Sequence, residues 1–245
     1  AAARGLEWVR REMTLDKACE RLWAHIHQTI KEHWAAVLRS DPNRWQEAYD
    51  AEHRRNWAYS VERLDPSWFR HWRAQYVKRE VVGPKVLDIG AGAGTYTIML
   101  AREGHQVTWL DISPEAQRQA ETLTEKFGVR DMVEFCLGDC QQLPLPDGTF
   151  NSVWAGEVLE HIPHPEKMVA EALRVLKPGG RLILSTPIGE HHFDPFHRGP
   201  TRGGWDDRTL RELLKPWEGM VKRLEKIAEK DAEASCYLVI IEKTR

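Results

Sequence analysis

Val86-Leu87-Asp88-Ile89-Gly90-Ala91-Gly92-Ala93-Gly94 is a short, largely apolar run that carries one acid and then breaks into a glycine-rich turn. The run reads as a buried strand feeding a loop. Glycine at alternate loop positions removes the Cβ that would obstruct a ligand or a positive φ. By itself such a turn is equally compatible with a tight strand-to-helix connection. Its meaning depends on what surrounds it.

From Lys85 onward, apolar strand-like runs alternate with helical patterns. The spacing predicts strands over Lys85–Ile89, Gln106–Leu110, Met132–Leu137, Phe150–Trp154 and Arg181–Thr186, with Lys177-Pro178-Gly179-Gly180 as a turn before the fifth. Helices are expected over Tyr96–Arg102, from the Ser113-Pro114-Glu115 cap to about Phe127, and over Pro165–Leu176. This alternation specifies an α/β fold with a parallel, doubly wound, Rossmann-like sheet. After Pro187 periodicity is lost until about Trp205, and a helix over Asp207–Leu214 follows. Met220–Ile227 and Cys236–Glu242 then read as two strands joined by a short polar connection, which suits a C-terminal antiparallel hairpin and completes a seven-stranded sheet.

Residues 1–83 carry a different pattern. Ala18, Leu22, Ile26, Ile30 and Trp34 recur every fourth position along one helix face between Thr14 and Leu38. Asp41-Pro42 and Asp65-Pro66 each open a further helix, the second bearing Trp45, Ala48 and Tyr49 and the third Trp68, Phe69, Trp72 and Tyr76. The expected division is therefore an N-terminal helical cap or lid, residues 1–83, and a core of residues 84–245. The cap either packs as a plain amphipathic layer or shapes a pocket with Trp57, Tyr59 or Arg63 reaching in.

Composition limits the function classes. Thirty-five Lys and Arg stand against 37 Asp and Glu, a net charge of -2, so no global field favours nucleic acid or an anionic membrane. Four cysteines, Cys19, Cys136, Cys140 and Cys236, form neither a CxxC pair nor a disulfide framework, which suits a reducing compartment. No apolar run approaches the roughly 20 residues needed to span a bilayer, and the amino end lacks a signal-peptide core. The expectation is a soluble, cytoplasmic protein. The chain begins Ala-Ala-Ala-Arg-Gly rather than with Met, leaving open a processed form or a piece of something longer.

In an open α/β sheet, ligands bind beyond the carboxyl ends of the strands near the point where strand order reverses. Gly90–Gly94, Asp111, Asp139 with Cys140, Ala155–His161 and Pro187–Gly199 all follow expected strands and so should share one rim. Asp111 comes 21 residues after Gly90, where a carboxylate can accept hydrogen bonds from two ribose hydroxyls. A dinucleotide fingerprint would need glycine at position 95, but Thr95 stands there.

The glycine turn, Asp111, Gly138-Asp139, Glu157-Val158-Leu159-Glu160-His161 and Leu176-Lys177-Pro178-Gly179-Gly180 together resemble a class I S-adenosylmethionine-dependent methyltransferase. The resemblance points to the branch of ubiquinone and menaquinone biosynthesis methyltransferases and extends from about Lys85 to the carboxyl end. It implies S-adenosyl-L-methionine as cofactor and S-adenosyl-L-homocysteine as product. It implies, too, that Asp88, Gly90, Ala91 and Gly92 lie at the methionine portion and that Asp111 holds the ribose hydroxyls. Ile112 would pack on the adenine, Asp139 would accept from its amino group with Cys140 beside it, and Ala155 would lie near the sulfonium. Asp139 is also readable as a turn-forming Asp after a strand.

The expected acceptor is a small molecule or a sugar, methylated at a hydroxyl oxygen. His161 is one candidate base, because imidazole titrates near working pH, but a His after Leu-Glu is common in the resembled family whatever the acceptor and reads equally as a structural or pocket-lining residue. His192 and His197 are others, in the stretch Glu190-His191-His192-Phe193-Asp194-Pro195-Phe196-His197-Arg198. That stretch could also be a metal site or plain surface loop; its spacing matches no established metal motif, so no metal ligand is assigned. Two rival functions remain, an RNA or protein methyltransferase, which the Arg-rich cap keeps open although the net charge disfavours nucleic acid, and a non-catalytic cofactor-binding module.

Overall fold

The computed structural model describes residues 46, 47, 49–51, 53, 54, 72–189, 205–227 and 236–244. All belong to one compact unit, Asn43–Arg245. The helix expected between Thr14 and Leu38, the side chains of Trp57, Tyr59, Arg63, Trp68 and Phe69, and the histidine-rich stretch with His192 and His197 lie outside the described residues.

In chain order the elements are α1 (Trp72–Glu80), β1 (Lys85–Ile89), α2 (Thr95–Arg102), β2 (Gln106–Asp111), α3 (Pro114–Lys126), β3 (Val133–Leu137), β4 (Phe150–Gly156), α4 (Pro165–Val175), β5 (Leu176–Pro187), α5 (Asp207–Leu214), β6 (Val221–Ile227) and β7 (Cys236–Glu242). The seven strands order as β3-β2-β1-β4-β5-β7-β6. β1 pairs in parallel with both β2 and β4, so the chain reverses its direction of travel across the sheet between them. The expected doubly wound sheet and antiparallel carboxyl-terminal hairpin are both present. β7 runs antiparallel to β5 on one side and to β6 on the other.

Period-two alternation of side chains explains why the central strands are almost wholly apolar. Leu87, Ile89, Val153, Leu182, Leu184, Val239 and Ile241 point to one face, where Met168, Val169 and Ala172 of α4 and Leu210 and Leu214 of α5 cover them. Val86, Val107, Trp109, Trp154, Ile183, Leu238 and Ile240 point to the other, under Ala74 and Val77 of α1, Ile98–Ala101 of α2 and Ala116, Ala120 and Leu123 of α3. β6, at the edge, carries Lys222, Arg223, Glu225 and Lys226 instead, and such charges discourage pairing with another chain.

The turn expected at Lys177–Gly180 is drawn into β5. Gly179 N donates to Lys243 O at 2.8 Å and Lys243 N to Gly180 O at 2.9 Å, pairings made by residues more than sixty positions away. The register slips between Phe150 and Ser152 to admit the extra residues, and a Cβ at Gly180 would stand 2.9 Å from Asn151 O.

Candidate functional site

β1 ends at Ile89, beside Leu110 of β2 and Ala155 of β4. The glycine turn leaves from there. Gly90, Gly92 and Gly94 have φ of 64, 53 and 83°, a region that costs a side chain steric energy, so the sequence pattern is required by the backbone path. Trp109 Nε1 donates to Gly92 O at 2.9 Å, Gly92 N donates to Asp111 Oδ2 at 2.9 Å, and Ala91 N donates to Leu110 O at 3.1 Å. Three contacts therefore fasten the turn to the end of β2.

Asp111 is 8% exposed and its Oδ1 also accepts from Ser113 N at 3.0 Å. Each carboxylate oxygen has two acceptor directions, so one on each oxygen remains for a ligand's hydroxyl. Asp88 sits beneath the turn, 2% exposed, with Thr97 Oγ1 donating to Oδ2 at 2.6 Å. Burial pushes its pKa up to about 7, an effect that the Asp111 charge increases and the Thr97 hydrogen bond opposes.

A raised carboxyl pKa means that the folded protein binds a proton the unfolded chain has already released. The associated stability is complete below the unfolded value near 4 and disappears as pH rises through about 7. Asp88→Asn is therefore expected to remove part of the destabilisation of the wild type between pH 5 and 8, on the order of 1–3 kcal/mol. Urea midpoints across that range check it. A wild type and variant with parallel profiles would refute it.

Further along the rim, Ile112 is half-buried and Asp139 exposed. Asp139 Oδ1 accepts from Gln141 N at 2.8 Å and from Gln141 Nε2 at 3.1 Å. The first is an Asx turn, so the turn-forming reading of Asp139 is realised, and its exposed carboxylate still faces outward. Cys140 is 8% exposed, and burial drives its thiol pKa upward, which makes it a packing residue rather than a nucleophile. Ala155 is 1% exposed in β4.

The segment after β4 opens on Glu157, whose φ of 58° is the one positive value at a non-glycine among the described residues. Its N donates to Ser185 O at 2.8 Å while Ser185 Oγ donates to its Oε1 at 3.0 Å. Arg73 of α1 lies 3.7 Å from the same oxygen. Glu160 is fully buried; Thr186 Oγ1 donates to its Oε2 at 2.9 Å, and Oε1 makes no hydrogen bond. Burial, then the Glu157 charge, hold this carboxyl well above the usual range. His161 Nε2 stands 3.8 Å from Glu160 Oε1.

Trp205 N donates to Pro187 O at 3.1 Å and its O accepts from Gly189 N at 3.0 Å, which holds Trp205 against the carboxyl end of β5. Among the described residues, no group of three or more His, Cys, Asp or Glu is placed to hold a metal ion.

Several residues at this site have no motif of their own. Trp109 is one, although its place in β2 was legible. Tyr49, Asp50 and His53 are others, from a helical segment within residues 46–54. Tyr49 Oη donates to His161 O at 3.4 Å, and the two rings meet edge-on at 6.2 Å. Asp50 accepts from Ser113 Oγ and, at 3.2 Å, from Glu115 N.

A glycine turn stripped of Cβ atoms beside a carboxylate with unused acceptor directions fits an adenosyl cofactor with an extended tail. Comparison with known proteins gives the same answer. Residues 87–184 match the family model described as "Methyltransferase domain". The ubiquinone biosynthesis O-methyltransferase of Xanthomonas campestris pv. campestris (strain B100) is 30% identical over 223 residues, covering 81% of this chain and 86% of the relative. The chain belongs to the S-adenosylmethionine-dependent methyltransferases.

Solved structures agree on the fold of this methyltransferase. A SAM-dependent methyltransferase from Aquifex aeolicus superposes with a TM-score of 0.58 at 23% identity, covering 76% of this chain and 97% of that one. The geranyl diphosphate C-methyltransferase of Streptomyces coelicolor A3(2), solved with S-adenosyl-L-homocysteine, gives 0.57 at 13% identity, with 70% and 77% covered. The cofactor of this methyltransferase is S-adenosyl-L-methionine, which leaves as S-adenosyl-L-homocysteine.

Proposed function

We propose that this methyltransferase acts on a hydroxyl oxygen of a small molecule, with His161 as the base. The observation that carries the reading is the position of His161 just after β4, on the same rim as Asp111 and the glycine turn. The 30% identity to an enzyme named for O-methylation supports the oxygen acceptor. The net charge of -2 disfavours RNA, and the cysteines without disulfide spacing suit the cytoplasm. Among the described residues no helix is long and apolar enough to cross a membrane.

The cofactor supplies an electrophilic methyl carbon on a sulfonium that is already a good leaving group. What remains for the chain is to bind, align and exclude water. Gly90, Ala91 and Gly92 would bound the methionine portion, and Asp111 would hold the ribose hydroxyls. Ile112, Asp139 and Cys140 would border the adenine and Ala155 the sulfonium, while Asp88 supports the turn from below. His161 takes the hydroxyl proton. Glu160 beside it is buried, and burial followed by the Glu157 charge holds its carboxyl well above the usual range.

His161→Ala is expected to lower kcat by roughly 10²- to 10⁴-fold on a responsive phenol, catechol or sugar acceptor, with S-adenosylhomocysteine affinity unchanged. Steady-state kinetics with calorimetry tests this. A variant within threefold of wild-type kcat removes His161 as the base and passes the role to His192 or His197.

A further inference from the structure

The family model begins at residue 87, so it leaves the helical segment within residues 46–54 without a role. That segment nevertheless crosses the rim. On one side Asp50 accepts from Ser113 Oγ and Glu115 N at the start of α3, and Gln119 Nε2 donates to His53 O at 2.9 Å. On the other side Tyr49 Oη donates to His161 O. Its contacts thus reach α3 and the post-β4 segment, the two borders of the glycine turn.

Between those anchors lies His53. Its Cε1 stands 3.3 Å from where a Cβ on Gly92 would be, so the ring packs on the bare face of that glycine. The one backbone donor of Gly92, its N–H, is already used by Asp111. A carboxylate arriving at Gly92 must therefore find its donor elsewhere. Among the described residues the side chain nearest that face is His53, whose ring N–H can donate to a carboxylate.

We propose that His53, held over Gly92 by Asp50, is a cofactor-binding residue that meets the carboxylate of the amino-acid end of S-adenosylmethionine, with Asp50 as its positioning residue. This rests on the reading that the glycine turn bounds the methionine portion. The segment then adds specificity for the whole cofactor, because a ligand lacking the amino-acid end gains nothing from His53.

The test compares two ligands by calorimetry: S-adenosylhomocysteine, and 5′-methylthioadenosine, which keeps the adenosine and thioether but has no amino-acid end. His53→Ala is expected to weaken S-adenosylhomocysteine about tenfold, the effect of one charge-assisted hydrogen bond, and to leave 5′-methylthioadenosine within twofold. Asp50→Ala is expected to do the same. Equal losses for both ligands, or a loss for neither, overturn the proposal, and unchanged 5′-methylthioadenosine binding shows that a variant is folded. Asp111→Ala separates the two levels, since it must weaken both ligands. If it weakens neither, the reading of the glycine turn fails; if it weakens both while His53→Ala is silent, only the His53 role fails.

Discussion

Asp111→Ala is expected to weaken S-adenosylhomocysteine binding by about a hundredfold or more, because two hydrogen bonds to a charged acceptor, each worth about 1.5–3 kcal/mol, disappear together. The carboxylate holds Gly92 N at 2.9 Å and Ser113 N at 3.0 Å as well, so the glycine turn and the start of α3 lose a shared anchor. Asp111→Asn preserves the shape but turns an amide NH₂ toward a backbone N–H or toward the ribose, and it is expected to lose most of the same affinity. Isothermal titration calorimetry decides. Wild-type affinity in both variants would mean that the ribose is not held here.

Gly90→Ala is the second large effect. At φ 64° an added Cβ meets Val158 Cγ2 at 2.6 Å, and Val158 is buried and β-branched, so it cannot swing aside. The left-handed backbone costs about 1–2 kcal/mol and the overpacking about 1–3 kcal/mol, so a loss of about 2–5 kcal/mol of stability is expected, together with loss of detectable cofactor binding. Adding Val158→Ala should relieve the collision but not the backbone strain, recovering roughly half of the stability if the two terms are comparable. Chemical denaturation of the single and double variants measures both. A single variant as stable as wild type would show that the turn does not follow this path.

The central strands were legible because each is a run of residues largely buried on both faces and bounded by turn residues, a pattern set by local chemistry. Val86–Ile89, Val107–Leu110 and Tyr237–Ile241 announce themselves in this way. Asp111 and Asp139 were legible as rim residues for the same reason, since the end of a strand in this architecture fixes the layer in which a residue sits. The glycine pattern fixed the positive φ values, because no other residue adopts three of them so cheaply.

What the tertiary structure alone decided are the pairings between distant residues. Lys177–Gly180 carries every local mark of a turn, yet backbone bonds to Lys243 make it strand. Asp88 stands on the same strand as the turn, but the face it points to, and its partner Thr97, follow from the packing of α2 against β1. Asp50 and His53 reach Ser113 and Gln119 across more than sixty residues. No periodicity or motif encodes such a contact, because hydrogen bonds between remote segments depend on how elements dock and not on the sequence within either one. The amino-acid sequence therefore determined the sheet, the glycine turn and the methyl donor. The contacts of Tyr49, Asp50 and His53 with His161, Ser113 and Gln119 were settled only by the tertiary fold.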